Sequence, residues 1–213
     1  MFTSAKSTAD NKRPWATETR EIVAVFVLSA TAILTAWCGF ESSKWSGQMS
    51  IAFSEASASR IKASDASSET RDARAVDLAI YSLWIDARAS GDAQLEAYVS
   101  TRFTPAFAIA FEAWQEDGEA LNSPFADPSY VPAGLIESEE FTRTADHKFA
   151  DALMSNQRSD NYSLLTVFFA LVLFFSAMSN RATSPRVGWI LLGLAIALAA
   201  IGAIIVATFP VLL

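Results

Sequence analysis

Residues 22–40 read IVAVFVLSATAILTAWCGF and carry no charge; residues 48–90, reached after Glu41-Ser42-Ser43-Lys44-Trp45-Ser46-Gly47, contain neither glycine nor proline. Inside a helix proline costs about 3 kcal/mol and glycine about 1, so the absence of both permits one helix to leave a membrane and continue into water. Read in heptads, the stretch has a seam at Thr31, Thr35, Cys38, Ser42, Trp45, Met49, Ala52, Ala56, Ser59, Ala63, Ala66, Thr70, Ala73, Asp77, Ile80 and Trp84. Only Asp77 on that line is charged and most of the others are small, so one face is expected to stay packed against protein along its whole length. Charge pairs such as Lys62–Asp65 and Arg74–Asp77 fit the same helix.

Two further apolar runs lie between Asp160 and Arg181 and from Val187 to Leu213. A helix rises about 1.5 Å per residue, so ~20 apolar residues cross a hydrocarbon layer of ~30 Å. Each run is long enough, and the expectation is an all-α membrane protein with three transmembrane helices. The first run resembles a signal peptide only weakly, because its small-x-small site, Ala30-Thr31-Ala32, falls before the apolar stretch ends. An uncleaved anchor is expected.

Short flanks set the orientation. Lys6, Lys12, Arg13 and Arg20 precede the first run, and Arg181 and Arg186 occupy the loop between the second and third with no acid beside them. Excess Lys and Arg in short loops marks the cytoplasmic side. The expected layout is a disordered cytoplasmic tail at 1–20, spans at 21–40, 161–180 and 187–210, a cytoplasmic loop at 181–186, and an extracytoplasmic helical domain at 41–160. Trp15, Trp37, Trp45, Tyr162 and Trp189 fit interfacial aromatic belts.

Residues 41–160 hold 20 Asp and Glu against 10 Lys and Arg. A surface so acidic repels nucleic acid and anionic lipid. Its acids are scattered along helices, as on a solvated face. Cys38 is the single cysteine, so no disulfide forms within a chain.

Ser90-Gly91-Asp92 reads as a helix stop followed by a cap. A second helix is expected over 92–116, interrupted at Thr104-Pro105 because proline is comfortable only in a first turn. Phe107, Phe111 and Trp114 line one side of it, as core residues or as a pocket wall. The loop 117–134 carries Pro124, Pro128 and Pro132 with Phe125 and Tyr130, either a recognition tip or a connector packed by its own aromatics. A third helix starts near Glu137 and runs into the second span. Its seam reads Ser138, Thr142, Ala145, Phe149, Ala152, Asn156, Ser159, Ser163, Thr166, Ala170, Leu173 and Ala177, with Asn156 as a buried amide fixing register. Small seams on two long helices of opposite sense predict an antiparallel coiled coil or helical bundle built on helices 1 and 2. Gly193-x-x-x-Ala197 in the third span is a packing motif facing the other spans or another protomer.

Reactive groups are few. His147, the single histidine, has Asp146 beside it and Asp151 one turn on, a pairing able to bind metal or move protons but lacking further ligands. No phosphate-cradling loop, zinc spacing or nucleophile elbow occurs. The three apolar runs, Ile22–Phe40, that between Asp160 and Arg181, and that from Val187 on, contain no Asp, Glu, Lys, Arg or His, which argues against a pump or coupled transporter. A passive pore needs no such groups: Thr31, Thr35, Cys38 and Ser42 form a polar line, with Glu41, Lys44, Arg158 and Asp160 at one mouth. The bland alternative makes the line a packing seam and the charges interfacial ion pairs.

Several motifs occur together: Thr35-Ala36-Trp37-Cys38 with Ser43-Lys44-Trp45-Ser46-Gly47, Arg102-Phe103 with Pro105-Ala106-Phe107 and Ala113-Trp114, Pro124-Phe125-Ala126 with Pro128 and Tyr130, and Asn156-Gln157 with Ser159-Asp160-Asn161-Tyr162. On these the chain, from about Ala36 to Pro210, resembles a family of bacterial three-span integral membrane proteins with an extracytoplasmic helical domain. That resemblance implies the architecture and a setting in the bacterial cytoplasmic (inner) membrane, and assigns no activity, cofactor or catalytic residue. No catalytic, cofactor or metal residue is expected. The expected role is non-catalytic, with the external domain mediating assembly or partner binding. Its partners are the bilayer and either further copies of the chain or another membrane protein; nucleic acid is not among them. A homo-oligomeric passive ion channel is the alternative, and an enzyme acting on envelope lipid through His147 is a more distant one.

Overall fold

The computed structural model describes residues 15–212, with side chains from Glu18 onward. Five α-helices follow one another: α1 Trp15–Ser90, α2 Ala93–Ser100, α3 Pro105–Glu116, α4 Leu135–Arg181 and α5 Pro185–Thr208, with a 3-10 turn at Pro124–Ala126. No strand occurs among the described residues. α1, α4 and α5 each contain a stretch long and apolar enough to cross a membrane, which marks a multi-pass membrane protein. Because α1 begins at Trp15, residues 15–20 are helical rather than part of a disordered tail, and residues 1–14 of that expected tail lie outside the described ones. The last helix ends at Thr208, two residues short of the expected span.

Contacts divide the chain into two units, one comprising the segments up to Ser50 and from Leu153 on, the other Ile51–Ala152. In the first unit α1 and α4 run antiparallel. Ser176 Oγ donates to Ala24 O at 3.2 Å near one end, and Ser159 Oγ to Ser42 O at 3.0 Å near the other. What this unit buries is small or hydroxylic, with a few rings between: Ala24, Thr31, Cys38, Ser159, Phe169 and Ser176. What it exposes is large and apolar, including Phe26, Ile33, Leu164, Phe174, Ile190 and Ile204. That inversion suits a lipid solvent, where apolar surface gives no drive to associate and close backbone approach does. α5 packs through Gly188, Leu192, Ala195 and Gly202, spaced like a heptad seam. A Cβ on Gly202 would meet Phe169 Cε1 at 2.6 Å, so only glycine admits that ring. Gly193 and Ala197 are exposed, and nothing lies within 4 Å of a Cβ placed on Gly193. Their motif is not used in packing within the chain.

In the second unit the stop at Ser90-Gly91-Asp92 is a Schellman turn. Gly91 takes φ +73°, Asp92 N donates to Ala87 O at 3.0 Å, and Asp92 then caps α2 by accepting from Leu95 N. Thr104 caps α3, accepting from Phe107 N at 3.3 Å, with Pro105 in the first turn where its missing N–H costs nothing. α3 closes with a second Schellman turn at Gly118, and Glu119 beyond it pairs with Arg88 at 2.9 Å. Gly134, at φ +78°, leads into α4 pressed against Ala66 O and Thr70 Oγ1, so both backbone angle and space require glycine.

All sixteen α1 seam positions are buried or half-buried. The α4 seam is corrected on one of its two lines. Ala145, Ala152 and Ser159 are buried as expected, but Thr142, Phe149, Asn156, Ser163, Ala170 and Ala177 are exposed. The other line runs one residue earlier, through Lys148, Ser155, Tyr162, Phe169 and Ser176, all buried or half-buried. Lys148 conceals that line in the sequence: its stem lies along the seam while its Nζ reaches Glu55 Oε2 at 2.8 Å. Asn156 is therefore no buried amide, and its side chain donates to Asp160. The helix pairs expected on α1 also find other partners, Lys62 lying over the Phe141 ring and Asp77 turning inward.

Candidate functional site

The second unit is organised by one buried carboxylate. Asp77 is 1% exposed, and its two oxygens accept from Thr104 Oγ1 at 2.6 Å and Tyr130 OH at 2.8 Å. A buried charge is tolerated only when hydrogen-bonded, and here the partners come from the α3 cap and the following loop. Around it pack Tyr81, Trp84, Phe107, Phe111, Trp114 and Tyr130, mostly edge to face. The phenol of Tyr130 is held well above the usual tyrosine range, first by burial and then by its bond to Asp77. The expected stripe Phe107, Phe111 and Trp114 is thus core. Phe125 and Tyr130 fold into the same cluster, which makes the proline-rich loop a packed connector rather than a recognition tip. Phe111 also borders an open cleft of about 400 Å³ with Glu96, Phe103 and Glu112, whose base is these same core rings.

The outer surface of this unit is unusual for one so charged. Val76 and Leu83 are exposed one heptad apart, as are Leu78 and Ile85, on opposite flanks of the buried line through Asp77, Tyr81 and Trp84. Ile61, Ile109 and Ile136 are also exposed. Hydrophobic pattern on α1 could have revealed these two ladders, but a seam read for missing charge passes over them.

His147, Asp146 and Asp151 are all exposed; Asp146 pairs with Arg60 at 3.0 Å. Among the described residues no group of three or more His, Cys, Asp or Glu is placed to hold a metal ion.

In the first unit the hydroxyl line faces α4. Thr31 and Cys38 are buried, Thr35 bonds back to Thr31 O, and Ser42 Oγ lies 2.8 Å from Ser163 Oγ and 3.1 Å from Ser159 O. The charges grouped at one mouth separate: Lys44 and Asp160 are exposed, and Arg158 lies over the Trp45 ring at 4.4 Å. Glu41 is fully buried. Its Oε2 accepts from Leu212 N at 3.0 Å, and its Oε1 has no partner among the described residues. Beside it Tyr162 OH donates to Pro210 O at 3.1 Å. In sequence Glu41 is a flanking charge, and nothing there signals that the segment after α5 folds over it.

No protein-family model matches the chain, and neither does any curated protein or solved structure compared with it.

Proposed function

We propose that this is a non-catalytic protein of the bacterial inner membrane whose residues 41–160 stand on the extracytoplasmic side and mediate assembly, with a second copy or with a membrane-protein partner. The observation that carries this reading is the pair of aliphatic ladders, Val76/Leu83 and Leu78/Ile85, uncovered on a helix whose inner face is already fully occupied. Exposed apolar residues in register mark interaction surfaces. The side assignment rests on Lys6, Lys12, Arg13 and Arg20 before the first span and on Arg181 and Arg186 between the other two. The buried α1 line and the buried α4 lines through Ala145, Ala152 and Ser159 and through Ser155, Tyr162, Phe169 and Ser176 support an antiparallel bundle as the framework.

Asp77 ties α3 to α1, and the hydroxyl line that would have to face a pore is used in helix packing, which favours assembly over a passive pore. Cys38 is buried and beyond the reach of a crosslinker. The test therefore places a cysteine at Leu83 or Leu78 in a Cys38→Ala chain, oxidises native membranes and reads the mass of the adduct. A dimer or a hetero-adduct at ladder positions is expected. Monodisperse monomer with no adduct at any ladder position refutes assembly, and conductance in planar bilayers would favour the pore.

A further inference from the structure

Arg20 is 7% exposed, and among the described residues its Nε has no hydrogen-bond partner and no carboxylate lies within salt-bridge distance of it. A guanidinium so buried is costly to leave without a counter-charge. It is pressed against the first turn of α5: a Cβ on Gly188 would collide with Arg20 Nη1 and lie 3.0 Å from its Cζ. Glycine at 188 is what lets the arginine in. Ser179, at the end of α4, is fully buried in the same place, and its Oγ is also unpartnered. A Cβ on Gly188 would be 3.2 Å from Ser179 O, so the three residues share one small volume.

The side chains that converge here can both donate, and the one carbonyl among them, Ser179 O, already accepts from Ala182 N at 3.4 Å. α5 starts on Ser184, whose side chain makes no capping bond, and Pro185 has no N–H. The amides of Arg186 and Val187 are the first-turn donors without an intrahelical acceptor, and the helix dipole adds partial positive charge. Arg181, the last residue of α4, and Arg186, in the first turn of α5, are exposed, and residues 179–188 contain no acid. The acids nearest in sequence are Glu18 and Glu21 on α1, and among the described residues neither forms a salt bridge with Arg20.

We infer that Arg20, Ser179 and the N-terminus of α5 form a binding site for the phosphate of an anionic phospholipid. A helix N-terminus is a ready anion site, and basic recesses between spans at the membrane border take lipid headgroups. Arg20 stands two residues before Ile22, where the first apolar run begins, so a span that starts there sets Arg20 near the level of the lipid phosphates. The inference is independent of the assembly role, since it uses only the first unit.

Native mass spectrometry of the full chain in detergent tests it, titrated with phosphatidylglycerol, with phosphatidylcholine or with inorganic phosphate. Phosphatidylglycerol retained in a one-to-one adduct, with phosphatidylcholine retained less, is expected. Arg20→Gln should reduce that retention roughly fivefold or more, the effect of removing one arginine from an anionic lipid surface. Arg20→Lys should restore part of it. If Arg20→Gln cannot be purified, Arg181→Gln/Arg186→Gln, which alters exposed side chains alone, should lower retention in the same direction. Equal retention of the two lipids overturns the inference. So does retention unchanged in the variants, or saturation by inorganic phosphate with no preference for lipid, which would make this a free-anion site.

Discussion

Removing the carboxylate of Asp77 should unlock the second unit. Asp77→Ala strands the buried Tyr130 hydroxyl and the half-buried Thr104 hydroxyl, whose bonds measure 2.8 and 2.6 Å. Hydrogen bonds to a charged group are worth about 1.5–3 kcal/mol each, so the expected loss is about 3–5 kcal/mol, with Thr104 contributing the smaller share because water reaches it. Tyr130→Phe removes one donor and should cost about 2 kcal/mol. The double variant Asp77→Ala/Tyr130→Phe should fall short of the sum by about 1–2 kcal/mol, because the two groups share a bond. Hydrogen exchange on the full chain is the suitable assay, since it resolves the unit without requiring the membrane segments to unfold. Amides of α3 and of residues 124–130 should exchange roughly 150-fold to 5,000-fold faster in Asp77→Ala, while those of α5 stay unchanged. Unaltered exchange in Tyr130→Phe, or strictly additive losses, would refute the account of Asp77 as the node.

The same phenol gives the unit an alkaline limit. Folding raises the ionisation range of Tyr130, through burial first and the Asp77 bond second, so its contribution is complete below the ordinary tyrosine range near pH 10. That contribution is lost as pH rises above it, and Tyr130→Phe should flatten the decline measured by exchange or thermal melting. Gly134→Ala combines a left-handed backbone angle with a collision against Ala66 O and should destabilise the second unit by about 2 kcal/mol or more, seen as faster exchange at the start of α4. Gly202→Ala drives a methyl into the Phe169 ring and should lower the thermal midpoint in detergent, at a cost of about 1–3 kcal/mol. Gly193→Ala meets nothing within the chain and should leave the monomer's midpoint unchanged or raised; a loss equal to that of Gly202→Ala would contradict the packing of α5.

Much of the fold is legible in the sequence because lipid and water impose strong patterns. The α1 seam could be read from missing charge alone, since a long run of Ala, Ser and Thr on one line has few reasons to exist except close packing. The same rule failed on α4, where the line through Tyr162 and Phe169 is disguised by Lys148, an amphipathic side chain that packs with its stem and solvates its head. Asp77 stood out as the one charge on its seam, but its partners Thr104 and Tyr130 lie 27 and 53 positions away, beyond any local periodicity. Arg20 and Glu41 were legible only as residues flanking an apolar run. Their burial depends on α5 and the segment after it, so neither could be separated in the sequence from an ordinary interfacial charge.

Arg20 and Glu41 stand 21 positions apart on one helix, a rise of about 32 Å. Both are locked among neighbouring side chains, so neither can stretch toward water when the surrounding bilayer thickens, as a free lysine or arginine does. The chain thereby carries its own gauge of hydrocarbon depth. In a sheet of longer acyl chains one ionisable group must sink or the lipid must thin around it, at a fraction of a kcal/mol per ångström. Lipid of matching chain length is therefore where this protein should be enriched.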